Sequence, residues 1–347
     1  MRPFRLALLF LFFASFLPAS GRKLTTEENE QNAERCGVHF LGEGKHFERR
    51  PAKRSFGGRQ FEQDEYPWTV FLILSGPRNT MLCSGVQISP RHILTAAHCA
   101  LEFDTAFNDL QCGLNNSYSA VSVMRDPKHI LVFIGSNKEK PNNGSISERF
   151  KVVHRVSKLT VHNFDHCRMN NDLALIELSQ NISEAHSTPI CMPSEDLQLH
   201  GVLYASGSGS DPGLPRTLTD PRRESRGQQV VTQQFYGVDE SSQKILTVAF
   251  SKSPFHGDSG GPLFQVDESE AHTLVGITSY AQNDDIRKSD TGENYITYYA
   301  YVPAYLDWIC KHSGVCPVEE TSSEEKSPLD PRNSKRKDQA KIATINV

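Results

Sequence analysis

Residues 256–262 read HGDSGGP, a stretch that places one serine and one acid among three glycines. Glycine lets the backbone approach another group closely and adopt conformations that other residues rarely reach. A serine in such a turn can present both its hydroxyl and its own N–H to a bound group. The stretch therefore indicates acyl-transfer chemistry, with Ser259 as the candidate nucleophile.

A serine hydroxyl is a weak nucleophile at neutral pH and needs a neighbouring base. The stretch ILTAAHC supplies His98 at the edge of an apolar run, and NDLALIEL supplies Asp172 directly before a strand pattern. A carboxylate can fix the tautomer of the histidine and stabilise its imidazolium form. Taken singly, such a histidine is usually structural and such an acid is usually a turn residue. Together, the three residues predict a nucleophile with its base and orienting acid.

The elements that must position these residues are short strands. From Tyr66 onward, turn-forming residues separate β-rich runs such as WTVFLIL, CSGVQI, HILVFIG, LALIEL, KILTVAF and HTLVGITSY. This pattern predicts an all-β sandwich or a pair of barrels. Helical periodicity is evident only in PAYLDWICKH near the end, which begins with proline.

The ends of the chain have a different character. Two arginines precede the apolar run LALLFLFFASFL and the small residues PASG, which predicts a signal peptide over residues 1–20 and a secreted, extracellular protein. A membrane anchor is the alternative, but the run is too short for a comfortable span. Residues 21–54 are polar and predict a pro-segment, while the charged residues 317–347 predict a disordered tail.

Composition narrows the possible partners. The net charge of −4, from 37 basic and 41 acidic residues, gives no electrostatic basis for binding nucleic acid or an anionic membrane. Eight cysteines in an exported chain favour disulfides, and the absence of a paired CxxC disfavours zinc. No metal or other cofactor is expected. Surface glycosylation is predicted at the three sequons, Asn115, Asn143 and Asn181.

The chain resembles the trypsin/chymotrypsin-like serine proteases. The matching motifs are TAAHC, NDLALI and GDSGGP, with PW at 67–68, CSG at 83–85 and DWI at 307–309, and they span roughly residues 55–312. The runs ENEQNAERCG and SPRHILTAAHC are most similar to a divergent trypsin-like group expanded in nematodes. The resemblance implies two antiparallel six-stranded β-barrels and a short C-terminal helix in a peptidase domain over residues 55–315. Barrel 1 would span about 55–190, barrel 2 about 191–302, and the helix about 303–313.

The resemblance also implies roles for individual residues. His98 would act as general base and acid, Asp172 would orient it, and Ser259 would attack the substrate. The N–H groups of Gly257 and Ser259 would form the oxyanion hole, where loss of one donor typically costs about 3 kcal/mol. The resemblance therefore implies a secreted, monomeric serine endopeptidase. It would act on a protein or peptide substrate without a cofactor.

Activation in the family releases a new amino terminus, which pairs with the acid beside the nucleophile. Here cleavage after Arg54 would expose Ser55, and Asp258 would be its partner. The family usually has isoleucine or valine at this position, whose burial stabilises by roughly 1.5–3 kcal/mol. Either the receiving pocket is smaller here, or the enzyme is weak. The runner-up hypothesis is accordingly a catalytically weak homologue that acts as a binding or regulatory module.

The implied substrate pocket is neutral and narrow. Ser253 stands at the position of the pocket floor, where trypsin-like preference for Arg or Lys would require an acid. Ala281, on the wall strand with Ser279, and Thr297 replace usual glycines, which predicts a preference for small apolar side chains. Three acids could instead point inward and restore basic specificity, namely Asp284, Asp285 and Asp290. Two further departures are Phe255 for a usual cysteine and Ser208 for a usual tryptophan.

The same resemblance implies disulfides between Cys83 and Cys99 and between Cys36 and Cys191, the second of which would tether the pro-segment after cleavage. For the remaining four cysteines, the hypothesis is the pairing Cys112–Cys167 and Cys310–Cys316. The expected partners besides substrate are an activating protease and inhibitors.

Overall fold

The computed structural model describes residues 22–41, 58–115, 118–136, 149–209, 228–250, 253–268, 270–282 and 294–318. Several predicted features lie outside these residues: the signal peptide, most of the C-terminal tail, Arg54, Ser55, Asn143, Asp284, Asp285 and Asp290. The described strands are, in chain order, β1 (Arg59–Gln60), β2 (Thr69–Ser75), β3 (Thr80–Gln87), β4 (His92–Thr95), β5 (Leu101–Glu102), β6 (Val123–Met124), β7 (Ile130–Ser136), β8 (Phe150–Val161), β9 (Ala174–Leu178), β10 (Val202–Gly207), β11 (Gln229–Asp239), β12 (Lys244–Phe250), β13 (Pro262–Val266), β14 (His272–Gln282) and β15 (Asn294–Tyr301).

The first barrel closes in the order β2-β3-β4-β9-β8-β7, with antiparallel pairing throughout. Successive side chains of β2 point alternately into the barrel and away from it, so one strand contributes to two packing surfaces. Val70, Leu72 and Leu74 are fully buried in the barrel core. Phe71 lies between them in sequence and packs instead against the rings of Phe133 and Phe150.

The second barrel follows the order β11-β10-β13-β14-β15-β12 and closes through the pairing of β11 with β12. The predicted pair of six-stranded barrels is therefore confirmed. Strand β1 is added at the edge of this second barrel, where Arg59 pairs with Val230. Backbone hydrogen bonds of β1 therefore hold the start of the described domain to the second barrel.

The described residues form four α-helices besides the strands: α1 (Thr26–Arg35), α2 (Ala97–Ala100), α3 (Thr105–Leu114) and α4 (Leu306–Ser313). The predicted C-terminal helix corresponds to a 3-10 turn over Val302–Tyr305 followed by α4, which ends at Gly314 with φ 76°. Helices α1, α2 and α3 were not predicted. Helix α1 buries only Asn29 and Asn32, so it has no apolar periodicity, and its signature is the capping box of Thr25 and Glu28.

Helix α1 makes the predicted pro-segment part of the folded unit. Leu24 N–H donates to the Ser313 carbonyl at 2.8 Å. Asn29 forms two hydrogen bonds to the backbone of Cys316, one in each direction, and Asn32 Nδ2 donates to the Ile88 carbonyl at 2.9 Å. Side-chain amides thus replace an apolar face as the means by which this helix is held.

Four disulfides are present and follow the predicted pairings: Cys36–Cys191, Cys83–Cys99, Cys112–Cys167 and Cys310–Cys316. The first joins the segment after α1 to the chain between the barrels. The third fastens α3 to the loop between β8 and β9. The described residues include no free cysteine.

Replacing Asn29 by alanine is expected to lower the free energy of unfolding by about 1–3 kcal/mol, because both backbone groups of the half-buried Cys316 lose a hydrogen-bond partner. Denaturant unfolding followed by fluorescence measures the change. Gln31→Ala, at an exposed position of the same helix, is the matched control. Equal stability of the two variants would contradict the role of α1 as an integral element.

Candidate active site

His98 and Asp172 form the centre of the site. His98 lies in the short helix α2, and Asp172 lies two residues before the start of β9. The Nδ1 atom of His98 is 2.8 Å from Asp172 Oδ2, and the backbone N–H of His98 donates to Asp172 Oδ1 at 2.9 Å. The side chains are 13% and 1% exposed, respectively. One carboxylate therefore fixes both the ring and the backbone of the histidine.

A third donor reaches the same carboxylate. Ser279, in β14 of the second barrel, donates its hydroxyl to Asp172 Oδ2 at 2.5 Å. Ser279 was predicted to line the substrate pocket, and the structure shows that its hydroxyl also binds the buried acid. The serine and the aspartate are 107 residues apart, so no local spacing in the sequence indicated this contact.

The contacts shift the pKa values of His98 and Asp172 in opposite directions. Burial lowers the pKa of His98, but the charge of Asp172 and the hydrogen bond to it outweigh burial and leave that pKa raised above 6.5. Burial raises the pKa of Asp172, but the charge of His98 and the hydrogen bonds from His98 and Ser279 leave it lowered. Asp172 stays ionised, and His98 can take up a proton.

The turn over residues 257–261 requires glycine at defined positions. Gly257 has φ +99° and Gly260 has φ +83°, a region that favours glycine. A Cβ atom at Gly260 would overlap Thr95 Oγ1 and the Ser84 carbonyl oxygen. The glycines thus let the turn lie directly on the wall of the first barrel.

Ser259 sits within this turn, close to the segment that carries His98. Its carbonyl accepts from the Ser84 N–H at 2.8 Å and lies 3.8 Å from the sulfur of Cys99, the neighbour of His98. Among the hydrogen bonds of the described residues, none joins the Ser259 hydroxyl to His98. Nor do the N–H groups of Gly257 and Ser259 donate to any described residue, so both are available to a bound group.

The neighbouring acid, Asp258, is turned towards the second barrel. Its Oδ1 accepts from the Gly209 N–H at 2.7 Å, and its Oδ2 accepts from the Phe255 N–H at 2.9 Å. A Cβ atom at Gly207 would overlap this carboxylate. Through these hydrogen bonds, the Asp258 carboxylate holds the glycine turn against Gly209 and Phe255. Ser55, its predicted partner, lies outside the described residues.

The structure brings three of the predicted pocket residues together. Ser253 Oγ is 3.2 Å from Thr297 Oγ1, and Thr297 is directly opposite Ala281 in the pairing of β14 with β15. Thr297 is fully buried and Ser253 is half-buried. The group of residues is uncharged.

Within the described ranges, no group of three His, Cys, Asp or Glu side chains is arranged to hold a metal ion. In the same ranges, no helix combines the length and the apolar character needed to cross a membrane.

Comparison with known proteins gives the same family for the chain. The family model named Trypsin matches residues 55–309. A CLIP domain-containing serine protease B9 of Anopheles gambiae is 25% identical over 277 residues, covering 74% of this chain and 62% of that protein. A chymotrypsin of Phaedon cochleariae is 24% identical over 276 residues, covering 76% of this chain and 83% of that protein.

Among solved structures, the scabies mite inactivated protease paralogue S-I1 aligns with a TM-score of 0.48 and 22% identity, covering 71% of this chain and 94% of that one. The chain spans less than two thirds of the length of the mosquito relative. The family model nevertheless covers most of the chain, including the histidine, the aspartate and the glycine-rich turn. The chain belongs to the trypsin family.

Proposed function

We propose that the chain is a secreted serine endopeptidase, made as a zymogen and activated by cleavage after Arg54. The observation that carries the proposal is the buried Asp172 carboxylate, which binds His98 through two hydrogen bonds beside the glycine turn of Ser259. Such an arrangement gives a serine hydroxyl the base that it needs. Membership in the trypsin family supports the same reaction.

In the proposed reaction, Ser259 Oγ attacks the carbonyl carbon of the scissile bond while His98 Nε2 takes the hydroxyl proton. The N–H groups of Gly257 and Ser259 stabilise the oxyanion of the tetrahedral intermediate. His98 then gives the proton to the leaving amine, and an acyl-enzyme remains. Water, deprotonated by His98, attacks the ester and regenerates the serine.

The proposed specificity is for small apolar side chains. Thr297 pairs with Ala281 across β14 and β15, where both side chains would narrow the pocket, and the hydrogen bond between Ser253 and Thr297 would close its floor. A buried guanidinium needs a charged partner, and this floor carries hydroxyls.

Activation is proposed to pair the new amino group of Ser55 with Asp258. The small side chain of Ser55 also favours the second candidate function, a weakly catalytic homologue that acts as a binding or regulatory module. An activating protease, inhibitors and a protein or peptide substrate are the proposed partners of a monomeric, extracellular protein. Glycosylation is proposed at Asn115 and Asn181, which are both exposed, and at Asn143.

Cleavage after Arg54 is expected to make Ser259 reactive towards a fluorophosphonate probe, because the released amino group can complete the site at Asp258. The measurement compares labelling before and after cleavage with trypsin, with the new amino terminus checked by mass spectrometry. Ser259→Ala is the control and should take up no probe. A cleaved wild-type chain that stays unlabelled would favour the binding module.

The labelling rate of the cleaved chain is expected to fall as the pH drops through a value above 6.5, because the base must be neutral and Asp172 raises the pKa of His98. Asp172→Asn should move this midpoint to lower pH and reduce the rate by about 10⁴-fold, since the tautomer is no longer fixed. A rate profile from pH 4 to pH 9 measures both effects. A midpoint unchanged in Asp172→Asn would contradict the assigned pairing.

Thr297→Gly is expected to widen the pocket and raise kcat/KM for a peptide with Leu relative to one with Ala at the residue before the scissile bond. The expected change in this ratio is at least about tenfold, the effect of one or more methylene groups in a closed pocket. Thr273→Gly, at a half-buried position of β14, is the control. An unchanged Leu/Ala ratio would contradict the assignment of Thr297 to the substrate pocket.

A further inference from the structure

Lys244 is a buried cation placed by a tight hairpin of the second barrel. Strands β11 and β12 are joined by residues 240–243, and Asp239 pairs with Lys244 where the hairpin opens. Gln243 takes φ 53° in this turn. Lys244 is only 7% exposed, although lysine is rarely buried without a charged partner.

The side chain of Lys244 spans the space between the two barrels. Its Nζ donates to the Arg168 carbonyl oxygen at 2.8 Å, in the loop between β8 and β9. The same Nζ lies over the Tyr280 ring, 5.4 Å from its centroid. The Tyr298 ring stacks on Tyr280 with centroids 4.5 Å apart, so Tyr280 contacts both an aromatic ring and the ammonium.

This position adjoins the proposed substrate groove on two sides. Tyr280 directly follows Ser279, whose hydroxyl binds Asp172, and directly precedes Ala281 of the proposed pocket. Arg168 is four residues before Asp172 in the loop that delivers this acid to the site. The ammonium therefore lies between the strand that forms the pocket wall and the loop that carries the catalytic acid.

Among the described protein groups, one carbonyl oxygen accepts from the Lys244 ammonium. An ammonium has three donors, and among the described residues only the Arg168 carbonyl accepts from Lys244. No carboxylate of the described residues lies within 4.0 Å of it. Burial lowers the pKa of Lys244, while the charges of nearby acids oppose this effect. The titratable groups that face it are Asp239 from β11, Asp165 and Asp172 from the loop, and Tyr280 from β14.

We propose that Lys244 forms an accessory subsite, which receives an acidic side chain of the polypeptide bound in the groove. A carboxylate supplied by the ligand would accept from donors of this ammonium other than the one bound to the Arg168 carbonyl, and its charge would offset the cost of a buried cation. The substrate class is then a peptide segment with Glu or Asp near the small residue held by Ser253 and Thr297. The inference rests on the proposed function for the course of the groove.

Binding to a chain that cannot turn over separates this inference from catalysis. The Ser259→Ala chain, cleaved after Arg54, is titrated with fluorescent hexapeptides that have Ala as the third residue, for insertion into the pocket. Each other position carries Glu in one peptide and Gln in its partner. Anisotropy should give about tenfold tighter binding of Glu at one or two positions, which corresponds to about 1.4 kcal/mol. Added salt should reduce this ratio.

Two substitutions in the same background assign the effect. Lys244→Met keeps the length of the side chain and is expected to bring the Glu/Gln ratio to about one, whereas Lys244→Arg should keep a preference for Glu. Lys158→Met, at an exposed position of β8, should leave the ratio unchanged.

The inference is overturned if Glu is preferred at no position, if neither peptide binds, or if the preference survives in Lys244→Met. Equal weakening of both peptides by Lys244→Met would make the residue a brace between the barrels and would also overturn it. Fluorophosphonate labelling of the wild-type chain reports on the proposed reaction separately. A chain that labels without a Glu preference refutes only the subsite, and one that prefers Glu without labelling refutes only the reaction.

Discussion

The buried carboxylate of Asp172 is the constraint on which the site depends. A carboxylate removed from water is costly unless hydrogen bonds satisfy it. Its donors are the backbone N–H and ring nitrogen of His98 and the hydroxyl of Ser279. These donors come from both barrels, so docking of the barrels completes the hydrogen bonds of the buried charge. The same contacts keep Asp172 ionised and raise the pKa of His98. The hydrogen bonds that help to dock the two barrels therefore also help to set the protonation of the pair.

Ser84 extends this docking to the glycine turn. It is fully buried in β3 of the first barrel, and its N–H donates to the Ser259 carbonyl. Its hydroxyl donates to the Gly257 carbonyl at 2.8 Å and accepts from the Ser208 N–H at 2.9 Å. One small polar residue thus binds the turn at two places and the neighbouring strand at a third. These bonds hold the backbone carbonyls of the turn against the first barrel and leave the N–H groups of Gly257 and Ser259 available to a ligand.

The helices illustrate where sequence patterns lose their predictive value. An amphipathic helix is recognised by apolar residues at helical spacing, and α4 has this pattern. Helix α1 is held by Asn29, Asn32 and a disulfide at Cys36, all of which act on distant partners. The capping box of α1 is visible in the sequence, but a capping box by itself does not distinguish a packed helix from a polar pro-segment. Helix α3 exposes Phe107, Leu110 and Leu114, the opposite of what burial of an apolar stripe would predict.

The sequence by itself determined the all-β architecture, the identity of His98, Asp172 and Ser259 as candidates, and the need for glycine around the serine. Strand alternation and turn chemistry are local properties, and the motifs with their resemblance to a family carried the rest. Only the tertiary structure decided that Ser279 completes the shell of Asp172, that Thr297 lies opposite Ala281 and next to Ser253, and that Lys244 reaches the Arg168 carbonyl. Each of these contacts joins residues that are distant in the chain, and their partners are set by how the strands and barrels pack.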